Sequence, residues 1–212
     1  MLEKIVNKDF SNSLESGVSK LDLNHRIEAR VQGPNEGGFY STREKRILHT
    51  PPEESIRGSW SGERGNSIYR LNELGPKEAK ANSILKSKGL DGISYKDGVP
   101  DFSKVAEASV RIPYMKSHRP FNFEKADRAL AAKWNIEAKN GKDNWTARNV
   151  CNYRRKAEDK LIWHERSDLQ NMDLVRDSVH SSFRHPGGIM ECKIRDGISS
   201  ANVRYKGVKF DE

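Results

Sequence analysis

Three of the six histidines in the chain, His164, His180 and His185, fall within the 28 residues LIWHERSDLQNMDLVRDSVHSSFRHPGG, positions 161–188. Imidazole changes charge near neutral pH and is a common metal ligand, so such a group can work as a proton acceptor or as a cation site. With Glu165 beside His164, it offers what metal-assisted hydrolysis of a phosphodiester requires. A divalent ion offsets the charge that develops on the reacting phosphorus centre and the leaving oxygen, and an imidazole off the metal can take a proton from water. One or two histidines plus a carboxylate leave metal positions open, whereas a structural zinc site is closed by four ligands. Cys192 lies near enough in sequence to supply a fourth ligand to the three histidines. The plainest alternative is three unrelated core or surface histidines.

These residues need elements to bring them together. Leu161, Ile162 and Trp163 read as a short strand ending at His164, Met172 to Val175 as a second, and Asp177 to Phe183 as a helix with Asp177 or Ser178 as its cap. Folded as a hairpin backed by that helix, His164 and Glu165 approach His180 across a small gap. His185 then enters from beyond the helix, where Pro186, Gly187 and Gly188 turn the chain. Trp163 is expected to wedge the hairpin onto the preceding helices. Asp173 alternates with Met172 and Leu174, so it is expected to point away from the core and to take no catalytic part.

The scaffold upstream is legible in outline. GPKEAKANSILKSKGL has Pro76 at a first helical position, Ala81, Ile84 and Leu85 on one face, and Gly89 at the end. DGISYKDGVPDF carries a turn at Asp97-Gly98, and AEASVRI places Val110 and Ile112 inward, together suggesting a small hairpin or meander. FNFEKADRALAAKWN spaces Phe123, Ala126, Leu130 and Trp134 as one helix face. In DNWTARNVCNYRRKAEDK, Trp145, Val150 and Tyr153 form the apolar side with Arg154, Arg155 and Lys156 opposite. In RGSWSGERGNS the glycines suggest a loop needing positive φ, with Trp60 packed and Arg64 and Glu63 acting as a structural pair or cap, substrate contact being the alternative. Residues 1–56 show no sustained period and are expected to be a loosely ordered segment or linker.

Composition narrows the class. The 212 residues carry a net charge of +8 and are 34% hydrophobic, with no apolar run of membrane-spanning length, and MLEKIVNKDF lacks the apolar stretch of a signal peptide. Residues 101–212 contribute +6 of that charge, with 22 Lys plus Arg against 16 Asp plus Glu. Such an excess suits a polyanionic partner such as nucleic acid, and equally suits solubility. Two cysteines, Cys151 and Cys192, make no disulfide framework.

The run Trp163-His164-Glu165, then Met172-Asp173-Leu174-Val175, His180 and His185-Pro186-Gly187-Gly188 resembles the WHH/WHE branch of the HNH/endonuclease VII superfamily. Those domains are C-terminal toxin modules of bacterial polymorphic and contact-dependent toxins, related to colicin-type DNases. The upstream pieces GSWSGERGNS, LDGISYKDGVPDFS, NFEKADRALAAKWN and NWTARNVCNYRRK are also similar to what precedes the motif there, so the likeness covers roughly residues 57–190. The resemblance implies a ββα-metal nuclease fold with one divalent ion (Mg, Mn, Zn or Ni), DNA or RNA as substrate, and a cognate immunity protein. It matches His164 to the strand-end histidine, His180 to a metal-binding helix histidine and His185 to the ligand after the helix. Many members have a second histidine where this chain has Glu165. Two assignments follow: His164 as base with Glu165 as ligand or orienting carboxylate, or His164 on the metal beside His180 and His185.

The expectation is therefore an α+β chain: a segment 1–56, then a domain 57–212 with a ββα-metal core at 160–188. Its function would be metal-dependent endonucleolytic cleavage of DNA by a bacterial toxin domain. The alternatives are a ribonuclease on the same scaffold and a non-catalytic, zinc-stabilised nucleic-acid-binding protein. Arg154, Arg155, Lys156, Arg176 and Arg184 are the candidate phosphate contacts. The absence of a signal fits either delivery within a larger toxin, with action in the target cytoplasm, or a cytoplasmic protein.

Overall fold

The computed structural model describes residues 38–198. They form an α+β fold of two antiparallel sheets, a short 3-10 turn (Lys139–Gly141) and six α-helices: α1 (Arg43–Leu48), α2 (Pro76–Ser87), α3 (Arg119–Ile136), α4 (Ala147–Lys156), α5 (Asp177–His180) and α6 (Gly188–Arg195). The first sheet runs in the order β1 (Gly58–Trp60), β2 (Ile68–Leu71), β3 (Ile93–Lys96), β4 (Val99–Pro100). The second has β5 (Ala108–Arg111) and β6 (Leu161–Glu165) on either side of β7 (Asn171–Arg176).

The hairpin of β6 and β7 forms as its alternation predicts, and α5 follows directly. Its register pairs Leu161 with Arg176, His164 with Asp173 and Glu165 with Met172. One face of the sheet therefore carries Trp163, Glu165, Met172, Leu174 and Val110, and the other carries His164, Asp173 and Val175. The first face packs on α3 and α4 through Leu130, Trp134 and Val150. The second meets the other sheet and α2 and α5 through Tyr69, Leu85, Phe102, Val179 and Phe183. Both faces are covered, so Asp173 does point away from Met172 and Leu174 yet is 1% exposed. The stretch containing Val110 and Ile112 is inward-facing as expected, but β5 joins β7 and not the Asp97-Gly98 hairpin.

Arg154 departs from the sequence expectation. It sits four residues after the fully buried Val150, on the same side of α4, and is 8% exposed. Its guanidinium pairs with Asp127 at 3.0 Å, and the same carboxylate accepts from Trp163 Nε1 at 2.8 Å. Arg154 therefore clamps α4, α3 and the hairpin together, and the solvated basic face is left to Arg155 and Lys156.

Order also begins before residue 57. Thr42 caps α1, Arg46 is buried and donates to the carbonyls of Ser41 and Asp97, and Glu191 of α6 accepts from the backbone N–H of Tyr40 and Ser41 at 2.7 and 2.9 Å. Residues within 38–56 thus contact the rest of the fold, and the expectation for 1–37 lies outside the described residues. Arg64 is not paired with Glu63. It donates to the carbonyls of Ile47 and Thr50 and closes the end of α1, while Glu63 pairs with Arg43 at 2.9 Å. Of the three glycines in that loop only Gly65 has a positive φ, and at Gly58 a Cβ would fall 2.1 Å from the Arg70 carbonyl oxygen.

Candidate metal centre

His164 reaches the centre from the end of β6, His180 from the last residue of α5 and His185 from the segment between α5 and α6. One ring nitrogen from each lies within 4.8 Å of the others. The ring centroids are 5.4 Å apart for His164 and His180, and 4.9 Å for each pair that includes His185. The edge of Phe102 packs against His164 and His185, with centroids 4.8 and 5.1 Å away, and its tilted ring lies 5.6 Å from His180. Phe102, 1% exposed, thus forms an apolar wall that holds the three rings in place. Nothing in the local sequence VPDFSK marks it for this position, because its neighbours come from a segment more than sixty residues further along the chain.

The segment carrying His185 is fixed at both ends. The Nδ1–H of His185 donates to the carbonyl of Phe183 at 2.6 Å, which leaves Nε2 as the acceptor nitrogen. The phenol of Tyr95 donates to the carbonyl of Arg184 at 3.0 Å. Gly188 is required by close approach and not by a turn: a Cβ there would fall 2.4 Å from the Arg166 carbonyl oxygen.

Burial holds all three imidazoles neutral. It pushes His180 down to about 3 and His185 down to about 4, and it places His164 well below the ordinary histidine range. The neighbouring imidazoles and the Arg119 guanidinium press in the same direction at His164. A neutral imidazole has a lone pair to give, so three of them converging in one small space suit a borderline divalent ion with positions left open.

The same shifts make a prediction about the metal-free protein. An unfolded histidine takes its proton near pH 6.5, while His180 and His185 stay neutral in the fold until about pH 3 and 4. The unfolded state therefore binds more protons across that window, and stability falls as the pH drops from about 6.5 towards 4. Each histidine contributes on the order of 1.4 kcal/mol per pH unit. Urea unfolding in EDTA at a series of pH values measures this slope, and a flat midpoint between pH 7 and 5 would contradict it.

The hairpin separates Glu165 from this group. It follows His164, so alternation turns it to the α3 face, where it is 4% exposed on its side chain and 3.5 Å from Arg119 Nε. Its Oε1 is buried with no hydrogen-bond partner. Burial raises the carboxyl above its ordinary value, against the opposing effect of Arg119. Cys192 is also absent from the centre: it lies in the core behind the α3 face, with its thiol pushed up to about 12 by burial. The closed site of three histidines and Cys192 does not form.

Around the centre, Arg166 lies one pleat beyond His164 on the same face. It donates through Nε and NH2 to Asp173, both at 2.6 Å, and Ser109 donates to the same carboxylate at 2.6 Å. Sequence reasoning passed over Arg119, Arg166 and the role of Asp173, because their partners are set by the β5–β7 pairing and by the start of α3. Of the arginines singled out in sequence, Arg176 is tied to Glu107 at 3.1 Å, and Arg184 is exposed.

A β-hairpin followed by a helix, with histidines from the strand end, the helix and the segment after it, is consistent with the ββα-metal nuclease core. Residues 92–187, somewhat less than half of the chain, match the family model of the DNase/tRNase domain of colicin-like bacteriocins. A colicin-DNase/HNH-like nuclease toxin domain thus spans that part of the chain. Searches of curated proteins and of solved structures found no match. Among the described residues, no helix is long and apolar enough to cross a membrane.

Proposed function

We propose that the chain is a metal-dependent endonuclease that hydrolyses phosphodiester bonds of DNA, acting as a bacterial toxin and countered by a cognate immunity protein. The observation that carries this reading is the convergence of three neutral imidazoles within 4.8 Å inside a segment matched to a nuclease toxin family. His164, His180 and His185 would hold one divalent ion, among Mg, Mn, Zn and Ni. When bound, it would supply Lewis-acid stabilisation of the charge developing on the phosphodiester. Of the two assignments open from sequence, the geometry favours His164 as a ligand. Glu165, on the α3 face of the hairpin, would then act through Arg119, which it holds in place to attract the phosphate.

Glu165→Gln keeps the shape and removes the charge that holds Arg119. It is expected to lower cleavage by about tenfold while the ion still binds at wild-type affinity. Single-turnover cleavage beside a calorimetric ion titration measures both. A variant that cuts at the wild-type rate would remove Glu165 from the reaction.

A ribonuclease on the same scaffold is the second reading, favoured by the tRNase members within the matched family description. DNA and RNA duplexes of one sequence, presented together with each ion, separate the two. Preferential loss of the DNA supports the first reading, and loss of RNA alone the second.

A further inference from the structure

We propose that the groove between α3 and α4 is a backbone-phosphate site for the nucleic-acid strand that runs to the histidine centre, with Arg148 and Arg155 as its two contacts. This deepens the nuclease reading and rests on it. The groove, about 610 Å³, is lined by Arg119, Arg148, Arg154 and Arg155, by the acids Glu124 and Asp127, and by smaller or apolar neighbours on both helices.

The cations in it sort by what they already do. Arg154 is committed to Asp127, the carboxylate that also accepts from Trp163. The other acid on the wall, Glu124, is held by Arg128 at 2.6 Å. Arg148 and Arg155 are both exposed and have no ion pair among the described residues. Two free guanidiniums thus project into a groove whose acids are already neutralised.

Their spacing selects the ligand. Arg148, Cys151 and Arg155 stand at i, i+3 and i+7, one stripe along α4, so the two arginines are about 10 Å apart along the helix axis. That matches roughly three nucleotides of rise along one strand, at about 3.4 Å each. Arg119 carries the positive lining onward. Its side chain is 60% exposed, it pairs with Glu165, and its charge bears on His164, His180 and His185 alike. A strand seated on Arg148 and Arg155 is thereby led past Arg119 to the centre. Phosphate contacts of this kind set position and affinity and read no sequence.

The test is equilibrium binding of a labelled DNA duplex to the full chain in EDTA over a salt series, which needs no cleavage. The Arg148→Gln/Arg155→Gln double variant is expected to bind tens of fold more weakly near 0.1 M salt, with the slope of log K against log salt smaller by about two. The Arg148→Lys/Arg155→Lys variant, with both charges kept, is expected to recover most of the slope. An unchanged slope in a variant that unfolds at the wild-type midpoint overturns the proposal, as does a wild-type chain that does not bind the duplex. Failure of the nuclease reading is separate: the slope changes as expected, but no ion supports cutting by the wild type.

Discussion

Replacing His180 with alanine is expected to weaken binding of the divalent ion by at least about a hundredfold and to abolish cleavage at ion concentrations that saturate the wild type. Loss of a residue that merely orients a ligand already costs about 10–100-fold, and His180 would be a ligand itself. The fold should survive. His180 is half-buried at the end of a single turn of helix, and Val179 and Phe183, which anchor that turn in the core, are untouched. Calorimetric titration of Zn or Ni into the variant, beside its urea unfolding curve, measures both. An ion affinity equal to the wild type's would remove His180 from the centre.

Asp127→Ala is expected to cause the largest loss of stability, about 3–5 kcal/mol, far from the histidines. The carboxylate is buried, pairs with the buried Arg154 and accepts from Trp163 Nε1. Its removal leaves an arginine charge without compensation and an indole N–H without a partner, and breaking a buried pair from one side costs far more than the pair itself contributes. Asp127→Asn, which keeps an acceptor oxygen for the indole, should fall between alanine and wild type. Equilibrium unfolding of the three proteins tests the order. An alanine variant within about 0.5 kcal/mol of wild type, the range of an ordinary surface substitution, would show that the clamp contributes nothing.

The hairpin and the helix after it were legible because their signal is local. Leu161-Ile162-Trp163 and Met172 to Val175 are compact apolar runs, and the three histidines lie within 28 residues. What escaped depends on contacts between distant segments. Phe102 reads as the residue after a turn and becomes the wall of the centre, while Asp173 reads as outward and is buried, since a second sheet covers the face that alternation assigns to water. The Arg154-Arg155-Lys156 run shows why charge alone misleads: a single step of about 100° around the helix separates a buried clamp from an exposed cation. Glu165 is adjacent to His164 in sequence, but a strand places neighbours on opposite faces, so proximity along the chain did not become proximity in the centre.

The central claim is that the three histidines serve an ion-dependent phosphodiesterase. The most direct measurement is nicking of supercoiled plasmid by the full chain, first stripped with EDTA and then supplied in turn with Mg, Mn, Zn or Ni. The account predicts no nicking in EDTA, nicking restored by at least one ion, and none with any ion for His180→Ala. Nicking that persists in EDTA would contradict it, and so would a folded, ion-loaded chain that cuts neither plasmid nor RNA.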